Sequence, residues 1–463
     1  MEDLYNLIAE IIRHLLDHTD ADFYKRYHSR TQQERRKEIA ALYQSIPMLF
    51  EEDGEQYREL GCGNDDVVRE LACRGMDYLK ACKENGEYKC LLRLLEFLDM
   101  ALERQMVREL ESRENTATGE CLNPNYHTLA LGIVPRCPCY WERGHRGSQH
   151  HDGISNHLKN ILFIDKTALG KLEVVHHYLP VNTFLAAEKR GKLSVAVSPL
   201  GKEKNFRTKI YEKEDSRYFS LQYAGDAAQE IQKIKELILE AAKEQADILI
   251  FPEACGNTRM TDEISDFFRE PFWLDGDRPP AVTVLPSVWD EDAGRNVAHV
   301  MDAFGNLVCS QNKQEAYLSE TEPGSYAYED IRRDGIVHLV HGTGIGRMVV
   351  MICKDFITND YLDKLLRELK VTLILVPSFS TGYHDFEMMS GKLLSADCCA
   401  VWVNAAAAEQ KTKEQRLGFI VRSGKNRAEE KVEFYIEEDD PKGNRIGASL
   451  KVWNMYYKTK LGR

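Results

Sequence analysis

From about residue 191 onward, short apolar runs rich in β-branched residues alternate with helical patterns, and this rhythm narrows the possible folds more than any other feature. Residues 193–197 read as a strand. Ile231, Ile234, Ile238, Ala241 and Ala242 line one face of a long helix, and residues 247–251 form the next strand. Residues 281–285 pair with 296–302, and Phe304-Gly305-Asn306 turns the chain into 307–310. Residues 347–352, 373–376 and 401–403 are three further buried-strand runs, with a helix over 385–397 between the last two. Hairpins mixed with helix-linked strands predict a layered α/β fold rather than a barrel of identical units.

The first part of the chain has another period. Leu4, Leu7, Ile8, Ile11, Ile12 and Leu15 recur at helical spacing, as do Leu91, Leu92, Leu94, Leu95 and Leu98. Pro47 is the only proline before Pro124, and Gly61, Gly63 and Asn64 mark a break between helices. Residues 1–115 are therefore expected to be a helical domain and 191–463 the α/β domain. Residues 116–190, with Pro124, Pro135, Pro138 and half of the histidines, read as an irregular Cys/His-rich connector with short strands at 161–164 and 172–175. Within it, Cys137-Pro138-Cys139 and His145, His150, His151 and His157 suggest zinc. One residue between the cysteines is too few for the usual paired-ligand spacing, so no metal is expected.

A formal net charge of −13 argues against broad binding to nucleic acid or anionic membranes. The start, Met1-Glu2-Asp3-Leu4, is acidic where a secretory signal is basic, and no apolar stretch approaches the ~20 residues that span a bilayer. Twelve cysteines without framework spacing then fit free thiols in a reducing cytoplasm.

Three polar residues stand just past apolar runs of the α/β region. Glu253 follows Ile248-Leu249-Ile250-Phe251-Pro252, Lys313 follows Leu307-Val308-Cys309-Ser310-Gln311-Asn312, and Cys353 follows Met348-Val349-Val350-Met351-Ile352. A carboxylate, an ammonium and a thiol at strand ends can converge at one sheet edge and supply a base, an oxyanion partner and a nucleophile. A thiol of pKa ~8.5 is mostly protonated at neutral pH, so a nearby base or cation is needed to favour thiolate. Cys255 is a rival nucleophile without a cation beside it in sequence, and Cys398 and Cys399 read as core.

Phe251-Pro252-Glu253, Lys313 and Ile352-Cys353-Lys354-Asp355 resemble, in chain order, the three signature blocks of the nitrilase (carbon–nitrogen hydrolase) superfamily. Residues 192–199 look like its opening strand, 296–305 like the hairpin before the lysine, 371–378 like the strand after the cysteine, and 395–404 like the segment that closes on an asparagine. The resemblance covers roughly 191–410. It implies a four-layer α-β-β-α sandwich, here preceded by the all-α N-terminal domain, and a Glu253–Lys313–Cys353 set that needs no cofactor. Glu253 would act as base, and Lys313 with the Lys354 N–H would hold an oxyanion. It also implies a second, supporting glutamate shortly after the lysine. Glu320 is taken for that role, with Glu322 as the alternative. Lys354 and Asn404 are expected against the substrate. Lys354 with Arg347 leans the substrate towards an anionic end.

The implied activity is thiol-dependent hydrolysis of an amide or ureido compound, less readily a nitrile, in a homo-oligomer. Acyl transfer to an amine would use the same residues. The alternative is an inactive nitrilase-like sensor or assembly protein whose helical domain binds a protein partner.

Overall fold

The computed structural model describes residues 1–51, 58–61, 65–142, 153–201, 205–213, 215–274, 276–408, 416–422, 432–435 and 451–456. The chain divides into two compact units. One comprises Met1–Glu114, Gly119–Pro138 and Arg143–Gly170, and the other Asn115–Thr118, Cys139–Glu142 and Lys171–Arg463.

In the first unit the apolar spacing does build helices. Glu2–His18 buries Leu4, Leu7, Ile8, Ile11, Ile12 and Leu15, and Tyr88–Ala101 buries Leu91, Leu92, Leu94, Leu95 and Leu98. Gln32–Ser45 starts from a capping box in which Thr31 and Glu34 satisfy each other's backbone N–H groups. The unit is nevertheless not all-α. Leu131–Pro135 and Ile161–Asp165 pair antiparallel, and Leu131, Ile133, Ile161 and Phe163 join the helical core. Asp99, on the Tyr88–Ala101 helix, accepts the backbone N–H groups of Lys159, Asn160 and Ile161 at 2.8, 3.0 and 2.9 Å.

The 116–190 stretch is thus no separate connector. Most of it completes the helical unit, while Glu173–Tyr178 enters a sheet of the second. Its apolar runs are too short to announce which core they fill.

The second unit is mixed α/β. An eight-stranded sheet runs Ala117–Thr118, Glu173–Tyr178, Ile336–Gly342, Gly346–Val350, Leu373–Ser378, Cys399–Asn404, Arg416–Val421, Val432–Tyr435. Its centre is parallel, with Met348 opposite Leu373 and Leu373 opposite Cys399, and those strands are apolar throughout because both faces are buried. A seven-stranded sheet contains Lys192–Val197 parallel to Ile248–Ile250, joined by the helix Ala227–Lys243. Arg295–Asp302 pairs there with Val282–Val284 and with Leu307–Asn312.

A third sheet was not foreseen. The hairpin Phe206–Lys213/Ser216–Tyr223 and the hairpin Leu318–Glu322/Ser325–Glu329 join through the parallel pair Ser325–Glu329 and Ser216–Tyr223. Its strands carry few aliphatic residues and many polar ones, so they read as loop.

Two histidine pairs link the parallel strands Glu173–Tyr178 and Ile336–Gly342. His176 Nδ1 lies 2.8 Å from His341 Nε2, and His177 Nε2 lies 2.8 Å from His338 Nδ1. Among the described residues, no helix is long and apolar enough to cross a membrane.

Candidate active site

The three strand-end residues do meet. Glu253 follows Ile248–Ile250 across Phe251 and Pro252, and it is 3% exposed. Its Oε1 accepts from Lys313 Nζ at 2.7 Å and from Asn296 Nδ2 at 2.8 Å, and its Oε2 accepts from the Phe379 N–H at 2.8 Å. Lys313 leaves the end of Leu307–Asn312, held by its own N–H on the Asn296 carbonyl at 2.8 Å. Charge-assisted bonds this short, in a site this dry, fix both side chains.

Glu320 is not the second carboxylate on the lysine. It lies exposed on Leu318–Glu322, where its Oε1 accepts the Gly324 N–H at 3.0 Å and closes the turn, and Glu322 is exposed as well. Glu329 takes the place instead, with Oε1 2.8 Å from Lys313 Nζ. The chain passes the lysine, runs out and back as a hairpin, and returns. The Tyr317 N–H donates to Glu329 Oε2 at 2.9 Å, and the Glu329 N–H donates to the Tyr317 carbonyl at 2.8 Å. Pro323-Gly324 between alternating residues was the available sign of that hairpin, with Gly324 at φ +77°.

Cys353 sits after Gly346–Val350, at the start of the short helix Lys354–Ile357. Its φ of +50° is left-handed, an unfavourable conformation for a residue with a Cβ, and strain of this kind gathers at functional sites. Asp355 braces the turn. Fully buried, its Oδ2 accepts the Ile352 N–H at 3.1 Å, and its Oδ1 accepts those of Gln314 and Glu315 at 2.9 and 2.7 Å. The turn that bears the thiol is thereby tied to the segment that follows the lysine.

Burial pushes the Cys353 thiol well above its usual range, and the Glu253 charge pushes it further, against a downward pull from Lys313. Lys354, the residue after the thiol, is half-buried. Burial alone would lower the Lys313 ammonium, but Glu253 and Glu329 reverse this and hold it well above its usual value. Glu329 is raised by burial, with Lys313 opposing. Asp355 is raised by burial to about 8, against Lys313 and its three backbone donors.

Two other residues carry sequence-based expectations. Asn404, expected against the substrate, lies at the end of Cys399–Asn404. It is fully buried, and both ends of its amide engage the Ser380 backbone at 2.8 Å. Arg347 is also fully buried. It donates to Glu142 Oε1 at 2.8 Å and to the Lys370 carbonyl at 2.7 Å, at the opposite end of its strand from Cys353. The sequence reading also missed Asn296, Phe379 and the Asp355 brace. Asp355 stood inside the cysteine block, but a backbone N–H such as that of Phe379 leaves no trace in a sequence.

Cys255 is buried with its Sγ on the Leu200 carbonyl at 3.7 Å and its thiol raised by burial. Cys398 and Cys399 are core. His145, His150 and His151 lie outside the described residues, and His157 Nδ1 is 2.9 Å from Glu96 Oε1. Among the described residues no group of three or more His, Cys, Asp or Glu side chains could hold a metal ion. A cleft of about 200 Å³ lined by Lys209, Tyr211, Trp289, Glu291 and Asp330, among others, contains none of the site's side chains.

No family model matches the chain, and no curated protein matches it. Among solved structures it is similar to an amidase from Nesterenkonia sp., at 14% identity and a TM-score of 0.40 over 57% of this chain and 90% of that one. It is similar also to a variant of that amidase, from the nitrilase superfamily, at 13% identity and a TM-score of 0.39 over 56% and 90%. A glutamine-dependent NAD+ synthetase from Acinetobacter baumannii is similar at 18% identity and a TM-score of 0.38, over 57% of this chain and 45% of that one.

Proposed function

We propose that this protein hydrolyses a non-peptide carbon–nitrogen bond, in an amide or ureido compound, through a thioester on Cys353. The observation that carries the reading is the buried cluster in which Lys313 bridges the Glu253 and Glu329 carboxylates beside the Cys353 thiol. A site of this composition has a base, a nucleophile and a fixed cation within one water-poor space.

As Sγ attacks the carbonyl carbon, its proton passes to Glu253, so no free thiolate has to accumulate. The carbonyl oxygen gains negative charge next to the Lys313 ammonium and the Lys354 N–H. Glu253 then gives its proton to the departing amine and leaves the acyl group as a thioester. It next takes a proton from water, whose oxygen attacks the thioester. Collapse of that adduct releases the acid and restores the thiol. Glu329 keeps Lys313 charged and aimed throughout. In this reading the two large sheets are the inner layers of the nitrilase-type sandwich, and the chain works in the cytoplasm as a homo-oligomer.

The test is a screen of small amides and ureido compounds for amine or ammonia release, repeated with Cys353→Ala. Turnover should vanish in the variant while its fold is kept, and full activity there would end the assignment. A second reading draws on the near enclosure of Cys353, which is 6% exposed: an inactive fold retained as a sensor or assembly module. Alkylation of Cys353 no faster than that of the other cysteines would favour it.

A further inference from the structure

One residue, Phe379, stands between the base and the nucleophile. The Phe379 N–H donates to Glu253 Oε2 at 2.8 Å, and the Phe379 carbonyl accepts from Cys353 Sγ at 4.0 Å. Glu253 Oε1 already takes two donors, Lys313 and Asn296, so Oε2, with one, is the oxygen with room for the thiol proton. The Phe379 carbonyl belongs to the same planar unit as the Ser380 N–H, and whatever fixes one fixes the other. Asn404 fixes it: Oδ1 accepts the Ser380 N–H at 2.8 Å, while Nδ2 donates to the Ser380 carbonyl at 2.8 Å. Asn404 is itself immobilised at the end of a central strand, where it is paired with Ser378 and fully buried.

We propose that Asn404 is a positioning residue that acts through the Phe379–Ser380 peptide to hold the Cys353 thiol in register with the Glu253 carboxylate, which the Phe379 N–H fixes from the preceding peptide, for proton transfer. The inference rests on the hydrolase reading above. It replaces a substrate-binding role for Asn404 with one that operates before any substrate arrives. Without the amide, the peptide can rotate. The S–H then loses its fixed acceptor, while the Phe379 N–H, on the preceding peptide, still holds Glu253.

The main readout needs no substrate. The full-length protein is treated with iodoacetamide, and the rate of Cys353 modification is followed by peptide mass spectrometry from pH 6 to 8.5 in wild type, Asn404→Ala, Asn404→Asp and Glu253→Gln. Asn404→Ala should slow the reaction about tenfold or more, equivalent to ~1.4 kcal/mol in the barrier. Asn404→Asp gives the sharper result. Its buried carboxyl, when protonated, accepts from the Ser380 N–H and donates to the Ser380 carbonyl, which reproduces both bonds. Once ionised it repels that carbonyl. Its rate relative to wild type should therefore be near unity at the acid end and fall as pH rises. Should Asn404→Ala not fold, this pH dependence decides alone.

Wild-type rates in both Asn404 variants at every pH would overturn the inference. So would a wild-type rate in Asn404→Ala paired with a raised KM, which marks substrate binding. Glu253→Gln separates the two levels. If it is slow while the Asn404 variants are unchanged, only the positioning role is lost. If it reacts as fast as wild type, the hydrolase reading fails with it.

Discussion

Removing the ammonium of Lys313 gives the strongest test of the electrostatics. Nζ lies 2.7 Å from Glu253 and 2.8 Å from Glu329, and all three side chains are 3–4% exposed. Lys313→Met keeps much of the aliphatic stem and leaves two carboxylates facing each other in a dry site. Breaking a buried pair by deleting one partner costs about 3–5 kcal/mol, because the charge left behind is uncompensated. Protonation offers the variant an escape. The Glu329 carboxyl, already raised by burial, then rises further above its unfolded value of about 4.3, so the folded form binds the proton more tightly. A group shifted in that direction stabilises below its unfolded pKa, and the stability is lost as pH rises through the folded pKa.

The variant should therefore be worst at pH 8 and recover towards pH 6. The recovery is up to about 1.4 kcal/mol per pH unit for each proton taken up. Urea unfolding followed by tryptophan fluorescence reads the right part of the molecule, since Trp141, Trp273, Trp289, Trp402 and Trp453 all belong to the unit that holds the site. Adding Glu329→Gln to Lys313→Met should restore much of the loss at pH 8. A loss equal at pH 6 and pH 8, or below about 1 kcal/mol throughout, would refute the reasoning.

Two further predictions concern separate features. Glu329→Gln should lower kcat of the proposed hydrolase by tenfold or more, on the order of a lost charge-assisted contact, while Glu320→Gln changes it less than about twofold. Steady-state kinetics on any substrate found in the screen decides between them. The His177 and His338 rings are both held below the usual histidine value by burial, His177 at about 4. Groups shifted this way stabilise above about pH 6.5 and lose that stability as pH falls towards 4, so replacing both with Leu should flatten the acid side of the stability–pH curve. Parallel curves for wild type and variant would count against it.

The sequence made the parallel centre of the eight-stranded sheet legible because buried strands are continuous apolar runs, and residues at their ends inherit a place at the sheet edge. Glu253, Lys313 and Cys353 were singled out in that way. What escaped were contacts made by the backbone and by polar hairpins. Glu329 belongs to a strand whose alternate residues are exposed tyrosines, and nothing in its composition ties it to a lysine sixteen positions earlier. Asn404 was singled out, but its bonds to the Ser380 backbone were not, because a sequence does not say whether a strand-end amide faces a ligand or its neighbour's backbone. The Leu131–Pro135 and Ile161–Asp165 strands were too short to reveal which of two cores they serve.

The closed base of the Tyr317–Glu329 hairpin separates the geometry around Lys313 from chain length. Everything the lysine requires is settled where Tyr317 and Glu329 exchange their hydrogen bonds. The arm beyond can grow or shrink by matched pairs of residues without moving the carboxylate. Its exposed tip at Pro323-Gly324 is therefore a natural point for insertions or tags. A count of residues between the lysine and its glutamate is, for the same reason, a poor guide to whether a site of this kind is complete.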